Sequence, residues 1–146
     1  MYNYKLITYF LREIQTPREL PLIQANFLLW IDDNPEEGKQ IYDKIEIPKE
    51  TTILIQLLST DELKKWLKKN EKLFKDKSAN FIIISDMTRK EGEKYNEIAG
   101  IEGLREIRKY DENIPIFFYI WNMDKAIEKC KDNEVDMGKI TIGAYP

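Results

Sequence analysis

Two short apolar runs in this chain end on carboxylates. NFLLWI, at residues 26–31, leads directly into Asp32 and Asp33, and FIIIS, at residues 81–85, leads into Asp86. Carboxylates gathered in one place repel one another, and a hard divalent cation relieves that repulsion. Magnesium suits such a set, with water or a phosphate in its remaining positions. A carboxylate beside magnesium can also attack phosphorus and become an aspartyl phosphate. Other residue types narrow the chemistry. The chain has no histidine, which excludes a Ser-His-Asp or Cys-His engine, a histidine-ligated metal and a phosphohistidine carrier within it. Cys130 is the single cysteine, so neither an internal disulfide nor a multi-cysteine zinc site can form. Among Ile127, Glu128 and Lys129 it reads as a packing or surface residue rather than a nucleophile.

Whether the three aspartates meet depends on the elements that carry them. The 146 residues are one domain's length, and 42% hydrophobic with 34% charged residues is the balance of a globular protein. A formal charge of −3 gives no global reason to expect nucleic acid or an anionic membrane as partner. Ile7, Phe10, Leu11 and Ile14 recur at helical spacing and predict a helix over residues 3–15, which Pro17 and Pro21 stop. Residues 1–25 therefore read as an N-terminal helix with an extended connector, and residues 26–146 as the main domain. NFLLWI lacks polar alternation, as a strand buried on both faces does. Asn34 follows as an N-cap, with Pro35, Glu36 and Glu37 suited to a first helical turn.

The same alternation repeats. TILIQL (residues 52–57) predicts a second strand, and Ser59 and Glu62 have capping-box spacing before a helix with Leu63, Trp66 and Leu67 inside. FIIIS is a third strand, a polar stretch covers residues 88–97, and Ile98, Ile101, Leu104 and Ile107 mark a helix. Residues 115–120 (PIFFYI) predict a fourth strand, 124–131 a short helix and 139–142 a fifth strand. Strands separated by helices give a three-layer, doubly wound α/β fold with a five-stranded parallel sheet. In the order 2-1-3-4-5 the first and third strands are neighbours, so Asp32, Asp33 and Asp86 share one edge, where such folds place ligand chemistry. The sequence stops just after the fifth strand, where this architecture normally adds a helix. Two readings stay open: a fragment lacking that helix, or an N-terminal helix covering the same face.

FLLWIDDNPEE, FIIISDM, AGIEGLREIRK and PIFFYIW together resemble a response-regulator receiver (CheY-like) domain, from roughly Asn26 to the C-terminus. The resemblance implies the flavodoxin-like, receiver-like sheet. It implies Asp86 as phosphoacceptor, with Mg2+ held by Asp32, Asp33, Asp86 and the backbone carbonyl of Met87. It also implies a phosphorelay in two-component signalling, a histidine kinase or phosphotransfer protein as donor, and output through the fourth helix and fifth strand, while the single cysteine suits a reducing, cytoplasmic setting. At most the chain then phosphorylates itself from a donor. Two positions depart from the family pattern, and a nearby lysine does not make good the second. Ile120 stands where a Ser or Thr hydroxyl is usual, Tyr145 precedes Pro146 where a lysine is usual, and Lys139 lies at the start of its strand. The stretch after Asp86 is also longer than the usual loop. An alternative is a pseudo-receiver, an interaction module for another protein domain without phosphorylation. A third reading is a small magnesium-dependent phosphotransfer enzyme.

Other features fit a bland role. Lys64, Lys65, Lys68, Lys69, Lys72, Lys75 and Lys77 are interleaved with Asp61, Glu62, Glu71 and Asp76, as on a solvated helix face. Gly100 and Gly103 follow no first strand and make no dinucleotide fingerprint, and there is no Walker sequence. Acids at Asp32, Asp33, Glu36 and Glu37 disfavour a flavin phosphate there. Trp30 and Trp66 read as core, whereas Trp121, beside the acidic edge, suits either a cap over the site or a partner surface. The opening residues, MYNYKLITYFLREIQ, read without the basic and apolar regions of a signal peptide, and no apolar run approaches membrane length.

Overall fold

A computed structural model describes residues 26–76 and 79–144. The first strand, β1 (Asn26–Ile31), is an interior strand and buried along most of its length. It pairs in parallel with β2 (Thr52–Leu57) on one side and with β3 (Asn80–Asp86) on the other. β3 pairs with β6 (Ile116–Ile120), and β6 with the last strand, β7 (Ile140–Ala144). The sheet order is β2-β1-β3-β6-β7, which is 2-1-3-4-5 when only its own strands are counted. The expected doubly wound α/β fold is therefore the observed one. The predicted helix at residues 3–15 lies outside the described residues, as does Tyr145.

Alternation along each strand divides the core. Leu29, Ile31, Phe81, Ile83, Ile116, Phe118 and Ile120 face one layer, made by α2 (Thr60–Lys69), the short α3 (Glu71–Phe74), α4 (Ala99–Arg108) and α5 (Met123–Asp132). Leu28, Trp30, Ile82, Ile84, Phe117 and Tyr119 face the other, where α1 (Pro35–Lys44) inserts Ile41 and Tyr42. Each fully buried aliphatic or aromatic side chain contributes about 1.5–3 kcal/mol, so these runs fix both strand register and helix placement. Cys130 belongs to the four-helix layer, and burial pushes its thiol up, as for a packing residue. Trp30 is core as expected, and Trp66 packs edge-on against Phe74 and Phe81. The lysine-rich face of α2 is solvated, with Lys65 paired to Asp61 one turn away at 3.1 Å.

Caps form at Asn34 and Ser59, where the spacing predicts them, and also at Asn122, where none is predicted. Asn34 accepts the Glu37 amide, Ser59 the Glu62 amide and Asn122 the Lys125 amide. The main difference from expectation follows β3. The polar stretch is an antiparallel hairpin of β4 (Arg89–Glu91) and β5 (Lys94–Asn96), turning on Gly92 at φ +67°. A glycine at the first of two loop residues is the turn chemistry that such a hairpin needs.

Candidate functional site

Asp32 lies one residue beyond β1 and Asp86 is the last residue of β3. Because β1 and β3 are adjacent and parallel, both carboxylates reach the same carboxyl edge of the sheet. Asp32, Asp33 and Asp86 each offer an oxygen within 4.8 Å of the others, with Asp32 and Asp86 buried and Asp33 exposed. Adjacent residues can do this because Asp33 already lies in the loop, after the strand has ended.

Each carboxylate has its own partners. Asp32 accepts the Asn34 amide at 2.8 Å and the hydroxyl of Tyr119 from β6. Burial pushes its carboxyl up to about 6, against the pull of the Tyr119 hydroxyl and the Asn34 amide. Asp33 accepts the Lys90 amide at 3.2 Å. Asp86 forms a buried ion pair with Arg89. Burial pushes Asp86 up to about 8; Arg89 draws it down, and Asp32 and Asp33 add to the rise. The carbonyl of Met87 accepts the Gly100 amide at 2.8 Å, which joins the strand end to the start of α4.

Arg89 is the residue that sequence pattern does not reveal. It is 1% exposed, and its guanidinium donates to Glu91 at 2.9 Å, to the Thr60 hydroxyl at 2.8 Å and to the Ala99 carbonyl at 3.2 Å. Glu91 in turn accepts both the amide and the hydroxyl of Thr60, at 3.0 and 2.6 Å. Burial works to raise the Glu91 carboxyl, but Thr60 and Arg89 outweigh it and hold it below the usual range. An arginine in a polar, non-periodic stretch gives no burial signal; its place three residues after Asp86 is its only mark in the sequence.

The three aspartates line an open cleft of about 960 Å³. Trp121 and Tyr95 line it and are 71% and 65% exposed. Ile120, at the expected hydroxyl position, is buried and packs into the four-helix layer with Leu29 and Ile31. Lys139 sits just before β7, at the opposite edge of the sheet from the aspartates.

A hard, oxygen-seeking cation fits this donor set. Two carboxylates whose ionised forms are penalised by burial and by neighbouring carboxylates would gain most from a positive charge between them.

A crystal structure described as that of a response regulator receiver domain protein from Clostridium thermocellum superposes with a TM-score of 0.52, covering 81% of each chain at 20% identity. The fold is receiver-like. No protein-family model matches this sequence, and no curated protein matches it either. The receiver-like fold places β1 and β3 side by side, as the resemblance of FLLWIDDNPEE and FIIISDM implies. No helix among the described residues is long and apolar enough to cross a membrane.

Proposed function

We propose that this chain is a receiver-like signal-transduction domain in which Asp86 accepts a phosphoryl group. The observation that carries the reading is the convergence of Asp32, Asp33 and Asp86 within 4.8 Å at the carboxyl edge of a receiver-like sheet. An oxygen of Asp86 would attack phosphorus, forming the O–P bond as the bond from phosphorus to its donor breaks. The chain has no histidine, so a phosphohistidine donor is a separate kinase or phosphotransfer protein. Asp32, Asp33 and Asp86, with the Met87 carbonyl, would hold magnesium, which neutralises charge that builds on the transferring oxygens. The chain's own part is to fix the nucleophile. Arg89 orients Asp86 by its ion pair, and Tyr119 and the Asn34 amide orient Asp32.

A second reading, a pseudo-receiver that binds another protein without phosphorylation, draws on two observations. Arg89 already neutralises Asp86, and Ile120 supplies no hydroxyl toward a phosphoryl oxygen. Incubation with Mg2+ and acetyl phosphate, followed by intact mass, separates the two. The phosphoacceptor reading expects a mass gain of one phosphoryl group that requires Mg2+ and is lost in Asp86→Asn. If no adduct forms and beryllofluoride produces no spectral change at the site, the interaction module is the better reading.

A further inference from the structure

The β4–β5 hairpin touches two of the three carboxylates through its first two residues. Arg89 pairs with Asp86, and the Lys90 amide donates to Asp33 at 3.2 Å. Arg89 also extends outward, to Glu91 on the hairpin, to Thr60 at the start of α2 and to the Ala99 carbonyl at the start of α4. The end of β3, the starts of two helices and the hairpin therefore meet on one buried guanidinium. An arginine does not lose its proton in a protein, so a buried one needs an anion close by at all times.

We propose that Arg89 is a positioning residue that couples the charge on Asp86 to the β4–β5 hairpin, making this hairpin the segment that responds when the acidic cluster is neutralised or occupied. Which ligand drives the response rests on the reading of the cluster as a phosphoacceptor site; the coupling itself is a property of the chain. Neutralising Asp86 removes one of the two anions beside Arg89 and leaves Glu91, which lies on the hairpin itself. Drawing Asp33 onto a cation takes away the acceptor of the Lys90 amide. Besides these contacts, Glu91 accepts the Thr60 amide and hydroxyl, and Asn96 donates to Glu102 at 3.1 Å, so the hairpin is held mainly through side chains. Its ladder is three residue pairs long and joins neither edge of the main sheet. A ribbon that short is marginal by itself, so its order depends on these tethers. The part that would move carries Tyr95, whose hydroxyl bonds Thr88 at 2.7 Å and which shares the cleft wall with Trp121. This route differs from output through the helix and strand that follow β6.

Amide hydrogen exchange of the full chain, resolved by NMR, tests the coupling first without any metal, in EDTA at pH about 9, where Asp86 is ionised. In Asp86→Asn the amides of residues 89–96 are expected to exchange at least about tenfold faster, while those of β1 and β6 keep their protection. In Asp33→Ala the Lys90 amide is expected to speed up by a similar factor. Asp33→Ala reads only the second tether, so where Asp86→Asn does not fold, Arg89→Lys by itself tests the coupling, with the amides of residues 90–96 expected to exchange faster. In an Arg89→Lys background, which keeps the charge but not the fork, the effect of Asp86→Asn on the hairpin is expected to shrink, a dependence that packing alone would not produce. Exchange within about twofold of the unaltered chain in every variant that folds overturns the proposal. A second arm adds Mg2+ and then beryllofluoride to the unaltered chain. Shifts at Asp32 and Asp33 with an unmoved hairpin also overturn it. If neither probe binds while the substitutions still loosen the hairpin, the coupling stands and the phosphoacceptor reading falls.

Discussion

Tyr119 shows how much the site owes to a residue that reads as core. Its ring lies in the smaller core beside Trp30, at 6.3 Å between centroids, while its hydroxyl donates to Asp32 and accepts the Trp30 indole N–H at 3.2 Å. Tyr119→Phe keeps the ring and removes both bonds. It leaves a buried carboxylate short of a donor and a buried indole short of an acceptor, at a cost of about 1–3 kcal/mol. Urea unfolding checks this: the midpoint is expected to fall with the slope unchanged, as for lost stability without a change in compactness. Loss of the donor also raises the Asp32 carboxyl further, because that bond favours the ionised form. An unchanged midpoint would mean that water replaces the hydroxyl at no cost. Nothing in PIFFYI distinguishes this tyrosine from its apolar neighbours, since a hydroxyl at the end of a buried ring leaves strand periodicity intact.

At the scale of elements, the site depends on how closely α4 approaches the end of β3. Gly100 makes that approach. A Cβ there would lie 2.4 Å from the Asp86 carbonyl oxygen and 2.9 Å from the Met87 Cα, and backbone cannot turn aside as a flexible side chain can. Alanine favours helices over glycine by about 1 kcal/mol, yet Gly100→Ala is expected to destabilise by about 1–3 kcal/mol net, because the clash exceeds the propensity gain. Denaturant unfolding measures the sign directly, and a stabilised variant would show that α4 can shift outward freely. This contrast explains what was legible in the sequence. Strands such as NFLLWI and FIIIS announce themselves by unbroken apolar runs, and helix starts by Asn34, Ser59 and their acids, because burial and capping are local in sequence. The three aspartates were legible for the same reason, each standing at the end of such a run. The hairpin was not, since three-residue strands carry no periodicity and its sole mark is Gly92. Arg89 was harder still, because its partners Thr60, Glu91 and Ala99 come together only after the sheet and helices are placed.

Across the whole molecule, the acidic cluster links folding to protons and to metal. Asp86 is pushed up to about 8 and Asp32 to about 6, both first by burial, against ordinary values near 4 in the unfolded chain. The folded state therefore binds more protons than the unfolded state between about pH 4 and pH 8. Stability from these two groups is fully present below about pH 4 and is lost as pH rises through about 6 and then about 8. Thermal unfolding in EDTA over that range checks it through the difference between the native chain and Asp86→Asn, which cancels groups common to both. Since asparagine resembles the protonated carboxyl and does not titrate, the native chain is expected to lose ground steadily to the variant as pH rises toward 8. A difference independent of pH would mean that Arg89 holds Asp86 ionised throughout, with burial outweighed. Added Mg2+ reverses the trend under the metal-binding reading. A cation must displace protons from the cluster to bind, so its stabilisation at millimolar concentration is expected to be larger at pH 8 than at pH 5. Magnesium that stabilises equally at both would place it away from Asp32 and Asp86, on the ordinary carboxylates of the surface.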